Sequence, residues 1–150
     1  MAKLQLPRDF KEFLRLLNSN SAEYLLIGGY AVNAHGYVRM TNDLDIWVKP
    51  CRENASRIDR ALREFGFGGT DLDSDLFAKP GKTVRMGVPP MRLELLTLVS
   101  GVDFDECYAE RETIEIEDLL IPVISLACLR ENKAAAGRPK DLLDLDNLPK

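Results

Sequence analysis

The chain has 150 residues, 45% of them hydrophobic and 29% charged, which suits one globular domain and excludes disordered, collagen-like and disulfide-rich classes. Its net charge of −4 and pI near 5.1 exclude the basic stripe of a non-specific nucleic-acid binder, leaving room only for a local basic patch. No apolar run approaches the roughly 20 residues a membrane helix needs, and the start MAKLQLPRDF does not read as a signal peptide, so a cytoplasmic protein is expected.

Residues Pro7 to Asn18 carry Phe10, Phe13, Leu14 and Leu17 at helical spacing, predicting an amphipathic first helix. Tyr24 to Ile27 reads as a short buried strand that stops at Gly28-Gly29, and a brief helix from Tyr30 to about Ala34 follows. Asp43 to Lys49, DLDIWVK, alternates acid with apolar residues and turns β-branched and aromatic, favouring a strand. A helix from about Glu53 to Phe65 stops near Gly66. From Gly66 to Pro90 the chain is rich in Gly, Asp, Lys and Pro, predicting loop with a strand over Thr83 to Val88. Arg92 to Val99 is predicted as a core strand, Phe104 to Ala109 as a short helix and Thr113 to Glu117 as an edge strand. Pro122 is expected to open a helix through Ala136, closed by Gly137, and Pro139 to begin a last helix through about Leu145. The order implies an α/β or α+β domain on a small mixed sheet flanked by helices.

Cys51, Cys107 and Cys128 fit neither a disulfide framework nor a zinc site, and the single His35 cannot build a His-rich one. Any metal must therefore be held by oxygen, which points to magnesium or manganese. On a strand, Asp43 and Asp45 share one face while Leu44 and Ile46 anchor the other. Their repulsion is relieved by a cation, or both are simply solvated on an open face. Gly28-Gly29 leads from strand into helix with free backbone amides that can receive a phosphate, or it merely makes the turn. Arg39 and Thr41, just before the acidic pair, can touch phosphate or stabilise the turn, with loop packing the default. His35 reads as a surface or capping histidine rather than a base. Asp71, Asp73 and Asp75 begin like a calcium loop, but Leu76 and Lys82 stand where Gly and a carboxylate are required, and Gly66 to Gly69 lacks the lysine of a P-loop.

The stretch GGYAVNAHGYVRMTNDLDIWV resembles the first motif of the polymerase-β nucleotidyltransferase superfamily, where a Gly-Gly or Gly-Ser turn precedes an acidic pair on a strand. The resemblance implies that Gly28 and Gly29 hold the triphosphate and that Asp43 and Asp45 bind two metal ions. A third carboxylate is implied on a neighbouring strand. Glu94, within RLELLTLV, is the candidate, although the family more often has aspartate there, and alternation with Arg92 also permits an exposed edge-strand glutamate. LRENKAAAGRPKDLLDL resembles the C-terminal motif of the toxin-like branch, which includes the abortive-infection nucleotidyltransferases. That makes Lys140, Asp141 and Asp144 site residues, whereas spacing alone allows a Lys140–Asp144 surface pair and places Asp141 to organise the helix start. Lys133 falls on the apolar stripe of its helix, where it either reaches a phosphate or snorkels to water.

The activity implied is metal-dependent transfer of a nucleoside monophosphate from a nucleoside triphosphate to an acceptor that is RNA, protein or a small molecule, with a cognate antitoxin as partner if the protein is a toxin. Glu94 or a member of the acidic pair would take the proton. The alternatives are a catalytically silent nucleotide-binding module and an antitoxin-like interaction protein on the same fold.

Overall fold

A computed structural model describes residues 3–67, 74–88 and 92–150. The elements run α1 (Arg8–Ser19), β1 (Tyr24–Ile27), α2 (Gly28–Ala34), β2 (Asp43–Val48), α3 (Arg52–Phe65), a 3-10 turn (Ser74–Ala78), β3 (Thr83–Met86), β4 (Arg92–Leu96), α4 (Phe104–Ala109), β5 (Glu112–Ile116), β6 (Leu119–Val123), α5 (Leu126–Ala136) and α6 (Pro139–Asn147). The strands form one mixed sheet in the order β3-β4-β2-β1-β6-β5. Within it β2 runs parallel to β4 and antiparallel to β1, and β6 runs parallel to β1.

Strand periodicity decides what each face carries. Leu44, Ile46, Leu93 and Leu95 are buried and join Phe10, Phe13, Leu14 and Leu17 of α1 and Ile58, Ala61 and Leu62 of α3 in one core. The alternate residues Asp43, Asp45 and Glu94 are only partly covered. Asn54, fully buried on α3, donates to the carbonyls of Glu23 and Lys49 and accepts from the Glu23 amide, tying the helix to the ends of β1 and β2. Among the described residues no helix is long and apolar enough to cross a membrane.

One expected element is replaced. The helix expected from Pro122 begins instead at Leu126, capped by the Ser125 hydroxyl, and residues 119–123 form β6. Leu119, Ile121 and Val123 are buried while Leu120 is exposed, a period of two that the prolyl residue masks. A proline is tolerated there because the β1–β6 ladder needs no donor from it: the pairing rests on Leu26 opposite Val123, with the Ile124 amide donating to Leu26 O. The strand expected over Thr113 to Glu117 does lie at the sheet edge, as β5. Glu94 does not, because β4 sits between β3 and β2, so the edge-strand reading of that glutamate is also corrected. Asp71, Asp73 and Gly68-Gly69 lie outside the described residues, and Asp75 belongs to the 3-10 turn.

Candidate functional site

β1 ends where the chain must turn sharply into α2, and Gly28 makes that turn at φ 68°. A side chain there would be strained and would collide with the Asp45 carboxylate, while one at Gly29 would strike the Thr41 hydroxyl. The glycines therefore let the β1–α2 turn lie directly against the acidic strand and the loop before it. Gly28→Ala is expected to cost about 1–3 kcal/mol of stability, the scale of a strained backbone position, checked by urea unfolding beside wild type.

Asp45 of β2 stands in register with Glu94 of β4, and Asp43 with Arg92, so three carboxylates share one face of the sheet. Burial first, then the charges of Glu94 and Asp43, push the Asp45 carboxyl up to about 7. Asp45 Oδ1 is buried and has no hydrogen-bond partner among the described residues. An orphaned carboxylate oxygen beside two further acids is what a hard cation relieves, and the donor set is all oxygen, so the residues fit magnesium or manganese. As they stand, no three His, Cys, Asp or Glu side chains among the described residues are close enough together to hold an ion. Glu94 instead leans toward the Arg85 guanidinium, Nε to Oε2 3.6 Å, and would have to turn inward.

The site also holds an ionic network centred on the buried Asp141, Asp144 and Lys133. Arg39 grips Asp144 of α6 through two bonds, Nε to Oδ1 at 2.7 Å and Nη2 to Oδ2 at 2.8 Å. Lys133 of α5, only 6% exposed, reaches Asp144 Oδ2 at 2.9 Å and Asp141 Oδ1 at 3.2 Å. Arg138 completes the chain, Nε to Asp141 Oδ2 at 2.7 Å. Burial alone would raise the Asp141 and Asp144 carboxyls, but hydrogen bonds from Arg138, Arg39 and Lys133 outweigh it and hold both below the usual carboxylate range.

These positions replace two sequence-based readings. Lys133 does not snorkel, because its ammonium is buried between aspartates, and Asp144 pairs with Arg39 and Lys133 rather than with Lys140. Asp141 does organise the start of α6, accepting from the Arg138 amide. His35 is the C-cap residue of α2, its side chain 5% exposed, with Nε2 donating to the Ile124 carbonyl at 2.7 Å and Nδ1 3.6 Å from Glu112 Oε2, and it stands apart from Asp43, Asp45 and Glu94.

Gly28 and Gly29, Arg39 and Thr41, Asp43 and Asp45, Glu94, Lys133, and Lys140 with Asp141 line one open cavity of about 790 Å³, with Asp144 behind its wall as the partner of Arg39 and Lys133. Arg85, Arg92 and Arg138 also line it and were not anticipated as site residues. The alternation of Arg92 with Glu94 was the visible signal for the second of these. Exposed Met40 and Leu98 add apolar surface. A comparable cavity of about 720 Å³ beside β5 is lined by Glu115 and Glu117, but Glu117 is paired with Lys11 at 3.1 Å.

No protein-family model matches the sequence, and no curated protein matches it significantly. Among solved structures it is similar to the crystal structure of a candidate nucleotidyltransferase from Thermotoga maritima, with a TM-score of 0.61 and 15% identity over 93% of this chain and 89% of that one. The fold is nucleotidyltransferase-like. At 15% identity the likeness is one of backbone architecture. In this nucleotidyltransferase-like fold the glycine turn, the acidic strand and the C-terminal helices form the walls of the same cavity.

Proposed function

We propose that the protein is a nucleotidyltransferase that moves a nucleoside monophosphate from a nucleoside triphosphate to an acceptor hydroxyl. The observation that carries this reading is the orphaned Asp45 oxygen, buried on a sheet face that also holds Asp43 and Glu94. Asp43, Asp45 and Glu94 would hold magnesium or manganese, which when bound stabilises charge on the phosphoryl oxygens. The acceptor oxygen attacks the α-phosphorus, the bond to the β-phosphate breaks, and pyrophosphate leaves with the electron pair. Glu94 or a member of the acidic pair would take the acceptor's proton.

The remaining walls support substrate roles. The amides at Gly28 and Gly29 and the cations Lys140 and Arg138 would meet the triphosphate, and Met40 and Leu98 offer apolar surface to a nucleobase. Arg39 and Lys133 hold the α6 wall in place through Asp144 and Asp141. The C-terminal motif's resemblance to the toxin-like branch supports a toxin role with a cognate antitoxin, which arrested growth on expression of wild type but not Asp45→Asn would bear out.

The test is incubation with each α-labelled nucleoside triphosphate, magnesium and cell extract. Labelled product and pyrophosphate are expected with wild type and are lost in excess chelator. Asp43→Asn and Asp45→Asn are each expected to lower turnover by about 10²–10³-fold or more, the scale of removing a group that stabilises transition-state charge. Glu94→Gln should be similarly crippling, with Glu94→Asp retaining more. Nucleotide binding without any transfer would identify a silent binding module instead.

A further inference from the structure

Pairing off the charges of the cavity leaves a remainder. Arg39, Lys133 and Arg138 are engaged by Asp144 and Asp141, and Lys140 is already assigned to the triphosphate. The Gly28-Gly29 turn lies on the β1 side of the acidic strand, whereas Arg92 and Arg85 lie on its β4 and β3 side. Register places Arg92 opposite Asp43 and Arg85 opposite Glu94, so both guanidinium groups share the carboxylate face. Arg92 forms no ion pair with any described residue. The side chain of Arg85 is 67% exposed, and its 3.6 Å approach to Glu94 is too long for a good hydrogen bond. Turning Glu94 inward to a cation would release it entirely.

Resting on the transferase reading, we propose that Arg85 and Arg92 form an anion subsite for the acceptor, which carries a phosphate beside the hydroxyl it offers. In-line displacement requires the acceptor to approach the α-phosphorus opposite the leaving pyrophosphate. With the triphosphate on the glycine side, the acceptor meets β4 and β3. Two guanidinium forks there match the oxygens of a phosphate, which a neutral sugar or an ammonium-bearing acceptor would leave unpaired. In the transfer the acceptor phosphate keeps all its bonds. Only its neighbouring hydroxyl oxygen bonds to the α-phosphorus, losing its proton to a carboxylate as pyrophosphate departs. Two guanidinium groups suffice for one or two phosphates, and a net charge of −4 adds no general attraction for a longer polyanion. The source is then the terminal nucleotide of a nucleic-acid strand or a free sugar phosphate.

The full chain, with magnesium and with or without α,β-methylene ATP, would be titrated by calorimetry with ribose 5-phosphate, ribose and a short oligoribonucleotide. Ribose 5-phosphate is expected to bind at least about tenfold more tightly than ribose, the scale of charge-assisted bonds. The double variant Arg85→Gln/Arg92→Gln should erase that preference while leaving affinity for the ATP analogue within about twofold, and Arg85→Lys/Arg92→Lys should keep much of it. An oligonucleotide that outcompetes ribose 5-phosphate, with a salt dependence corresponding to about one or two phosphates, identifies a strand end as the source; equal binding identifies the free sugar phosphate. Equal binding of ribose and ribose 5-phosphate to wild type, or an unchanged preference in the Gln double variant, overturns the proposal. If the ATP analogue fails to bind while the arginine-dependent phosphate preference survives, the transferase reading falls and the anion subsite stands.

Discussion

Metal-free protein is expected to lose stability as the pH rises from about 4 to about 8, and Asp45→Asn to flatten most of that loss. The Asp45 carboxyl rises from 3.8 to about 7 on folding, so between those values the folded chain binds the proton that the unfolded chain has released. Stability from this group is therefore complete below the unfolded value and is lost as pH climbs through the folded one. The loss has an upper limit of ~4 kcal/mol. Asparagine cannot ionise, so the variant should be the more stable protein above neutrality and catalytically inert. Adding magnesium should return stability to wild type at high pH and not to the variant. Urea midpoints measured across the range with and without magnesium decide it. A wild-type midpoint that rises from mildly acid to neutral pH would show that Asp45 ionises without penalty.

Lys133→Met is expected to damage the fold before it damages any ligand contact. The ammonium lies between Asp141 and Asp144, each 1% exposed, and methionine supplies the bulk of the stem without the charge. Breaking a buried pair typically costs 3–5 kcal/mol because the partner's charge is stranded. Arg138 and Arg39 still serve the two aspartates, which argues for about 3 kcal/mol, the lower end. The loss should weaken triphosphate and nucleoside binding together, as α5 and α6 loosen. A variant of wild-type stability that discriminates against the triphosphate alone would instead give Lys133 a direct phosphate contact.

Local pattern carried much of the architecture. The buried run Tyr24 to Ile27 broken by two glycines, and the acid-apolar alternation of Asp43 to Ile46, are short-range signals, and both elements lie where they were read. That Glu94 lies on a strand neighbouring Asp45 was reached only through resemblance, since no local rule joins β2 to β4 across α3, the 3-10 turn and β3. β6 was hidden because Pro122 is as good a helix opener as it is a poor strand residue, and its tolerance depends on which ladder needs its missing donor. Spacing proposed Lys140 as the partner of Asp144. The true partners, Arg39 at 105 residues' separation and Lys133 on another helix, exist only once the chain is folded. Arg138 and Arg85 likewise become cavity residues through tertiary placement.

That long-range bond has a consequence for local opening. Arg39 belongs to the loop leading into the acidic strand, and its two bonds to Asp144 make α6 and that loop halves of one clasp. If α6 lifts away, the loop loses its anchor, Lys133 loses both counter-ions, and the wall facing the carboxylates is dismantled in the same event. Hydrogen exchange should therefore find the amides of α6 and of residues 37–42 released as one cooperative unit, at a free energy below that of the α1–α3 core. Substrate-binding competence would then be set by the population of this partly opened state and not by global unfolding.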